Sequence, residues 1–449
     1  MSFGEIYKIL FKLGLPVLVT QLGTIIVSMA DTMMVGDYGT RELASAAFVN
    51  NLFMVPMVMQ MGFAGGVTPL IGALYGAGKH QDAGSMMRVA IKLNLWLAVA
   101  ICFIMGAVYF ALPHMGQPTE LMPLVKEYYL IVLAAVLFGA LFLPAMQMAM
   151  GITDTVTPMI IIVIGNVINI VGNYALIYGH FGMPELGLNG AGLSTLTARI
   201  FCSAAMICVI FFARRYKPYQ PGLRKREPKS STTQRSARRK MLRTSLPVML
   251  QAGVETALWG LGAVVSGWYG KEQLAAYQVV LVMGQLGFMT YMSFATATSI
   301  RVANLSGTGD RDGVRLTTRC GLHLNLILAT LASLTFILFG AQVLTLFTAD
   351  KAVIAIGVTL IPPLVLYQYA DAVQMTYVNA LRGTSFVRSL ITTSFIAYIV
   401  VGTPIMLILA DGLNMTVGGV YYSFSAALIV AAVLYIRSFR RILPRIRPA

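Results

Sequence analysis

The chain has 449 residues, 57% hydrophobic and 11% charged, with a formal net charge of +16. A soluble domain carries about 25% charged and about 45–50% apolar residues, so a water-soluble globule, a disulfide scaffold and a disordered chain are all excluded. A polytopic membrane protein remains, whose apolar side chains face lipid as well as one another.

In chain order, apolar runs predict spanning helices near 11–34, 43–69, 88–111, 123–145, 158–178 and 188–212, then near 245–268, 275–302, 319–341, 353–378, 388–410 and 416–436. Each is close to the ~20 residues that a ~30 Å hydrocarbon layer requires. The breaks carry turn chemistry, as in Gly36-Asp37-Tyr38-Gly39, Gly76-Ala77-Gly78, Gly151-Ile152-Thr153-Asp154 and Gly307-Thr308-Gly309-Asp310. The first span follows a short lead bearing Lys8 and Lys12, with no cleavage signal, and is expected to be retained. Cys102, Cys202, Cys208 and Cys320 all sit in apolar stretches and read as small buried hydrophobes.

About half of the 33 Lys+Arg fall in two segments, Arg214 to Arg243 and the C-terminal Arg437, Arg440, Arg441, Arg445 and Arg447. In a membrane protein such segments mark the cytoplasmic side and meet anionic headgroups, so membrane lipids and not nucleic acid are the expected partner of this charge. Counting outward from Arg214–Arg243 also places the breaks at Lys79/Arg88, Arg311/Arg315/Arg319 and Arg382/Arg388 inside, with both termini. The outer breaks carry single cations beside acids, such as Arg41 with Glu42. This bias supports an even number of spans.

An internal repeat organises the chain. At an offset of 231, Leu15/Leu246, Pro16/Pro247, Gly36/Gly267, Gly39/Gly270, Gly76/Gly307, Gly78/Gly309, Arg88/Arg319 and Asn94/Asn325 coincide; at 232, so do Gly151 and Gly383. The reading is a duplicated six-span unit, 1–213 and 244–449, joined by a basic cytoplasmic linker, 214–243. Six spans per copy give both copies the same orientation, and transporters place a central cavity at such a repeat interface.

An acid in hydrocarbon costs about 2.5–3.5 kcal/mol on insertion scales. Three stand out: Asp31 in span 1, Glu255 in span 7 and Asp371 in span 10. The repeat places Gly262, Thr24 and Gly139 at the equivalent positions, so the scaffold does not demand a charge there. Glu255 lies about 17 Å above the inner start of its span and Asp371 about 27 Å below the outer start of its own, at 1.5 Å per residue. Two carboxylates at similar depth in one half would share a proton or chelate a cation. In the other half Asp31 is joined by Asn169 and Asn173, four apart on one helical face, and by Thr195. Such oxygens suit a small hard cation, and the alternative is an interhelical hydrogen-bond network. Arg199 in the same span as Thr195 is a buried cation without an assigned partner. Tyr367 and Gln374 flank Asp371 by about one turn and are cavity candidates. The run Gly72 to His80 fails as a phosphate loop on spacing and on His80, so an ion gradient and not a nucleotide is the expected energy source.

These residues together resemble the multidrug and toxic compound extrusion (MATE) family, of the NorM-like branch, over essentially the whole chain. The resemblance rests on Leu15-Pro16 through Met29-Ala30-Asp31-Thr32-Met33-Met34-Val35-Gly36, Gly76-Ala77-Gly78, Pro184-Glu185-Leu186-Gly187, Leu246-Pro247 with Glu255, and Asp371-Ala372-Val373-Gln374 followed by Leu381-Arg382-Gly383. It implies an all-α polytopic fold of 12 transmembrane helices in two pseudo-symmetric six-helix bundles arranged as a V. It implies efflux of amphipathic, often cationic drugs in exchange for Na⁺ or H⁺, with no cofactor and no enzymatic step, by a protein expected to be monomeric. Asp31, Asn169, Asn173 and Thr195 would form one cation site, and Glu255 and Asp371 the acids of the other lobe. In span 8 the family's second half often carries histidine, where this chain reads Ala275-Ala276-Tyr277-Gln278, so a titratable group is replaced and Gln278 becomes a cavity candidate. Two rivals are weighed: a flippase for lipid-linked saccharides, which calls for a cationic cavity, and a membrane enzyme, which calls for a polar catalytic cluster on a membrane-edge loop.

Overall fold

The computed structural model describes residues 2–116, 118–224 and 231–447, with side chains from residue 235 onward in the last stretch. Lys225, Arg226, Glu227 and Lys229 of the basic segment lie outside the described residues. Every regular element described is helical. In chain order these are α1 (Phe3–Tyr38), α2 (Thr40–Gly65), α3 (Val67–Gly76), α4 (His80–Ala111), α5 (Met122–Gly151), α6 (Val156–Tyr178), α7 (Leu188–Phe212), α8 (Gln220–Arg224), α9 (Ser231–Trp268), α10 (Lys271–Thr308), α11 (Arg311–Phe347), α12 (Lys351–Thr359), α13 (Ile361–Gly383), α14 (Arg388–Ser394), α15 (Thr403–Leu407) and α16 (Thr416–Ile442).

Among the described residues, eleven helical stretches are long and apolar enough to cross a membrane, and twelve when the bent pair α12–α13 counts as one. That pair turns by 49° at Leu360, just before Pro362 and Pro363. Proline is accepted in the first turn of a helix but cannot continue a helix already running, which bends the span predicted as continuous over 353–378. The span Arg388–Gly412 alternates α-helix with π-helical stretches at Phe395–Gly402 and Ile408–Gly412 around Pro404, whose missing N–H loosens the ladder. Many helices outrun the predicted spans, and at α1, α11 and α12 a side-chain cap holds the start. Ser2 and Glu5 form a reciprocal capping box on α1, and Asp310 and Asp350 accept from Gly313 N (2.8 Å) and Ala352 N (2.9 Å) at the starts of α11 and α12. Large apolar side chains stand bare on the outer faces, Trp96, Phe103 and Phe110 of α4 and Leu346 of α11 among them, as a lipid-facing surface requires.

The backbone carries the repeat. Gly78 and Gly309, equivalent at 231, both end a helix with left-handed φ, 73° and 78°. Thr153 and Ser385, equivalent at 232, are both non-glycine residues at positive φ, 65° and 62°. The chain forms two compact units, one of Val19–Ser245 and one of Met1–Leu18 with Leu246–Ala449. The division thus falls inside the first and seventh spans, whereas the sequence reading placed it in the basic segment. The reason is local packing. In the second unit the Phe11 ring meets Phe294 at 5.2 Å, Phe294 also lies against Gly14, and Tyr7 Oη pairs with Nδ1 of His323 at 3.0 Å. In the first unit Gly66 lets Ser245 approach so closely that a Cβ on Gly66 would stand 2.7 Å from Ser245 Cα.

The first unit is built around Phe53, Tyr129, Val132 and their neighbours on α2, α4 and α5. At one end of it the segment Arg214–Arg224 folds back onto the start of α4. Tyr216, Tyr219 and Gly222 are buried at every third position, leaving Arg214, Arg215, Lys217 and Arg224 exposed. Gly84 sits against Tyr219 O, Gly222 sits against Gln81 O, and Arg88 donates to Gly222 O. The second unit packs around Tyr277, Tyr398, Tyr421 and Phe424.

Candidate functional site

Each unit carries a polar cluster built around an acid within a long apolar helix. In the first unit, α1 supplies Asp31, α6 supplies Asn169 and Asn173, and α7 supplies Thr195. Asn173 Nδ2 donates to Oδ1 of Asp31, and Asn169 Nδ2 donates to Oγ1 of Thr195 at 3.0 Å. Ser194 Oγ donates to the backbone oxygen of Asn169 at 2.6 Å. The approach of α6 and α7 depends on small residues: a Cβ on Gly172 would stand 3.1 Å from Ser194 Cβ. Asn169 and Asn173 are buried, Asp31 is half-buried, and Oδ1 of Asn173 has no hydrogen-bond partner. The four residues selected from sequence are therefore brought together, as two donor–acceptor pairs one turn apart on α6. Their amides present N–H to the acceptors; a half-turn of the Asn173 amide would present its oxygen beside Asp31, the arrangement a cation needs.

In the second unit, Asp371 is buried on α13. Tyr291 Oη of α10 donates to its Oδ2 at 2.6 Å, Tyr367 Oη donates to the same oxygen at 3.2 Å, and Oδ1 has no partner. Glu255 on α9 accepts from Gln251 Nε2 at 2.7 Å, and Gln251 Oε1 in turn accepts from Arg382. Glu255 lies within the electrostatic field of both Asp371 and Arg382. Gln374 Nε2 donates to Tyr398 Oη at 2.9 Å in the π-helical stretch, and Oε1 of Gln374 is unpartnered. Trp259 stacks edge-on against Tyr367 (5.4 Å) and close to Phe424 (4.4 Å), walling the cluster on one side.

The structure holds Glu255 with Gln251, Asp371 with Tyr291 and Tyr367, and Gln374 with Tyr398 as three hydrogen-bonded sets in the second unit, while Gln278 is exposed and in none of them. Its neighbour Tyr277 is the buried member, donating to Trp259 O at 2.7 Å. Arg382, read from sequence as a cation at a cytoplasmic break, stands in the last turn of α13 and donates to Gln251, which ties it to Glu255. Gln251, Tyr291 and Tyr398 were not singled out from sequence. Glutamine one turn before an intramembrane glutamate was a usable signal for Gln251; the tyrosines carry none, because their pairing spans 80 residues or depends on a local π-helix.

Arg199 on α7 is half-buried, with Nη1 3.9 Å from where a Cβ on Gly139 would stand and Gln60 alongside. Gly139 is the repeat equivalent of Asp371. The two units therefore place opposite charges around corresponding points, a guanidinium in one and a carboxylate in the other. An ion pair joins Arg215 to Asp154 at 3.5 Å, away from both clusters, while Asp371 is held by the neutral phenols of Tyr291 and Tyr367.

A family model described as MatE matches residues 16–175 and 247–408, once in each half. The multidrug resistance protein NorM of Aliivibrio fischeri is 28% identical over 432 residues, covering 95% of this chain and 92% of that protein. Among solved structures, an outward-facing multidrug resistance MATE transporter of the MOP superfamily aligns with a TM-score of 0.88 at 20% identity, over 98% of this chain and 96% of that one. A MOP-superfamily transporter from Pyrococcus furiosus, for which reversed polarity of the binding pocket suggests a different function, aligns at 0.89 and 19%, over 99% and 97%. A Vibrio cholerae MATE transporter aligns at 0.86 and 17%, with 98% of each chain covered. At these identities the structural likeness establishes the fold.

Proposed function

Because the chain belongs to the MatE family, we propose that it is a multidrug exporter of the cytoplasmic membrane, with both termini inside, acting as a monomeric secondary antiporter. Its load is an amphipathic, often cationic organic compound, and its counter-cargo is Na⁺ or H⁺. The observation that carries this reading is Asp371: an acid deep in a spanning helix, one of whose oxygens accepts from two phenols while the other has no hydrogen-bond partner among the described residues. A structural anchor of this burial would satisfy both oxygens. An acid with a spare oxygen can take a proton, or share a cation with Glu255.

The exchange follows from charge. An ionised pair attracts a cationic load; taking up Na⁺ or H⁺ neutralises it and weakens that hold, so the load leaves as the ion enters. Asp31 with Asn169, Asn173 and Thr195 forms the second ion site, supplying a carboxylate, amide oxygens and a hydroxyl. Coupling requires that load and ion exclude one another at the acids while the protein alternates between outward- and inward-open states.

The test is dye export in reconstituted vesicles under a sodium gradient and, separately, a proton gradient. The native protein should respond to one of them, and Asp371→Asn should lose gradient-driven export while inserting and folding normally. Undiminished export by that variant rejects the scheme.

A further inference from the structure

Arg315 and Arg319 lie four apart on α11, and their repeat equivalents on α4 are Gly84 and Arg88. In the first unit this place is filled by the chain itself: Tyr219 and Gly222 sit on Gly84 and Gln81, and Arg88 donates to Gly222 O. In the second unit the described residues beyond α16 take another course, with Ile446 O accepting from Arg311 Nε at 3.1 Å. A cleft of about 240 Å³ stays open, with Arg315, Arg319 and Arg440 at its rim and Tyr377, Phe439 and Leu443 as its apolar wall. Phe439 is buried and meets Tyr377 edge-on at 5.6 Å, so the wall is preformed.

We propose that this cleft binds the phosphate-bearing headgroup of an anionic lipid from the adjacent leaflet. Three guanidiniums on two helices match a phosphate, to which each can donate bidentately. Among the described residues none of the three has an acid within ion-pairing distance. Depth agrees: α11 has 37 residues, about 55 Å at 1.5 Å per residue, against a hydrocarbon layer of ~30 Å. Arg315 and Arg319 stand within the first ~12 Å of that helix, at headgroup level. The volume is several times that of one water (about 30 Å³) and short of the roughly 300–1,000 Å³ of a drug pocket. The apolar wall favours an amphiphile over a free anion. The lipid would join α11 to α16, the connection that Arg214–Arg224 makes for α4 in the other unit.

The experiment is native mass spectrometry of the full chain, titrated with phosphatidylglycerol and, separately, phosphatidylcholine, for the native protein and for Arg319→Gln, Arg440→Gln and Arg437→Gln. Arg437 is exposed on α16 and outside the cleft, so it controls for bulk charge. One phosphatidylglycerol should be retained preferentially, with affinity about fivefold to tenfold lower in either cleft variant and unchanged in Arg437→Gln. Arg440→Gln alters an exposed residue in the last turn of α16 and keeps the test readable should Arg319→Gln fold poorly. Equal loss in Arg437→Gln, equal retention of phosphatidylcholine, or displacement by millimolar glycerol phosphate would each overturn the proposal, the last by showing a free-anion site.

Discussion

Tyr291 donates its hydroxyl to one oxygen of Asp371 at 2.6 Å and leaves the other without a partner. A phenol serves here because it supports the carboxylate without cancelling its charge, as an arginine would. Tyr291→Phe removes the shorter bond and leaves Tyr367 alone at 3.2 Å. Hydrogen bonds to charged groups contribute about 1.5–3 kcal/mol. The variant should melt at lower temperature and export more slowly at a given gradient. Native melting together with native export would show that this bond neither positions nor stabilises the acid.

Glu255 and Arg382 are joined through Gln251, which donates to one and accepts from the other. Removing one charge leaves its partner exposed to an unbalanced field; removing both does not. Glu255→Gln and Arg382→Gln should each lower stability, while the double variant should lose less than the sum, with a coupling of about 0.5–3 kcal/mol. A thermal-melting cycle checks this, and strict additivity would mean that Gln251 insulates the two charges instead of linking them.

Asp154 accepts from Thr157 N (3.2 Å), Thr157 Oγ1 (2.8 Å) and Tyr216 Oη (2.9 Å), with Arg215 Nη1 at 3.5 Å. It is buried, so Asp154→Ala should cost about 1–3 kcal/mol by leaving the Tyr216 hydroxyl unsatisfied. Burial, reinforced by Asp154, raises the Tyr216 phenol well above its ordinary 10.0. The folded state thus holds that proton more tightly than the unfolded chain. Its contribution is complete below about pH 10 and declines as pH rises beyond that. Melting in alkaline buffer should show native protein falling more steeply than Tyr216→Phe; parallel curves would disconnect this phenol from stability.

The fold was legible because its signals are local and repeated: apolar runs of spanning length, glycine at both Gly78 and Gly309, proline at both Pro16 and Pro247. The acids Asp31, Glu255 and Asp371 were legible because charge in an apolar helix is conspicuous. Arg382 shows in the sequence only as a cation at a helix end beside glycine, and its bond to Gln251, 131 residues away, leaves no local signal. Unit boundaries were hidden because Phe11 packing on Phe294 is a tertiary preference, and nothing between 1 and 18 announces it. Gln278 and Tyr277 differ only in which face of α10 each occupies, which a uniformly apolar helix does not reveal by periodicity.

Gly84 is the point at which the repeat's divergence can be probed directly. A Cβ there would meet Tyr219 O and stand 3.0 Å from Tyr219 C and 3.1 Å from Leu223 N. These are backbone atoms, so the docked segment cannot yield by a rotamer change, and Gly84→Ala should lift Tyr219–Leu223 off α4. The Asp154–Tyr216 anchor lies earlier in the segment and should hold, confining the release to the α8 end. Hydrogen–deuterium exchange should therefore rise over 219–224 and stay low over 154–157. The mirror substitution, Arg315→Ala on α11, faces open space and should leave exchange there unaltered. Protection over 219–224 that survives Gly84→Ala would mean that Arg88 and Ser85 hold the segment without close backbone contact.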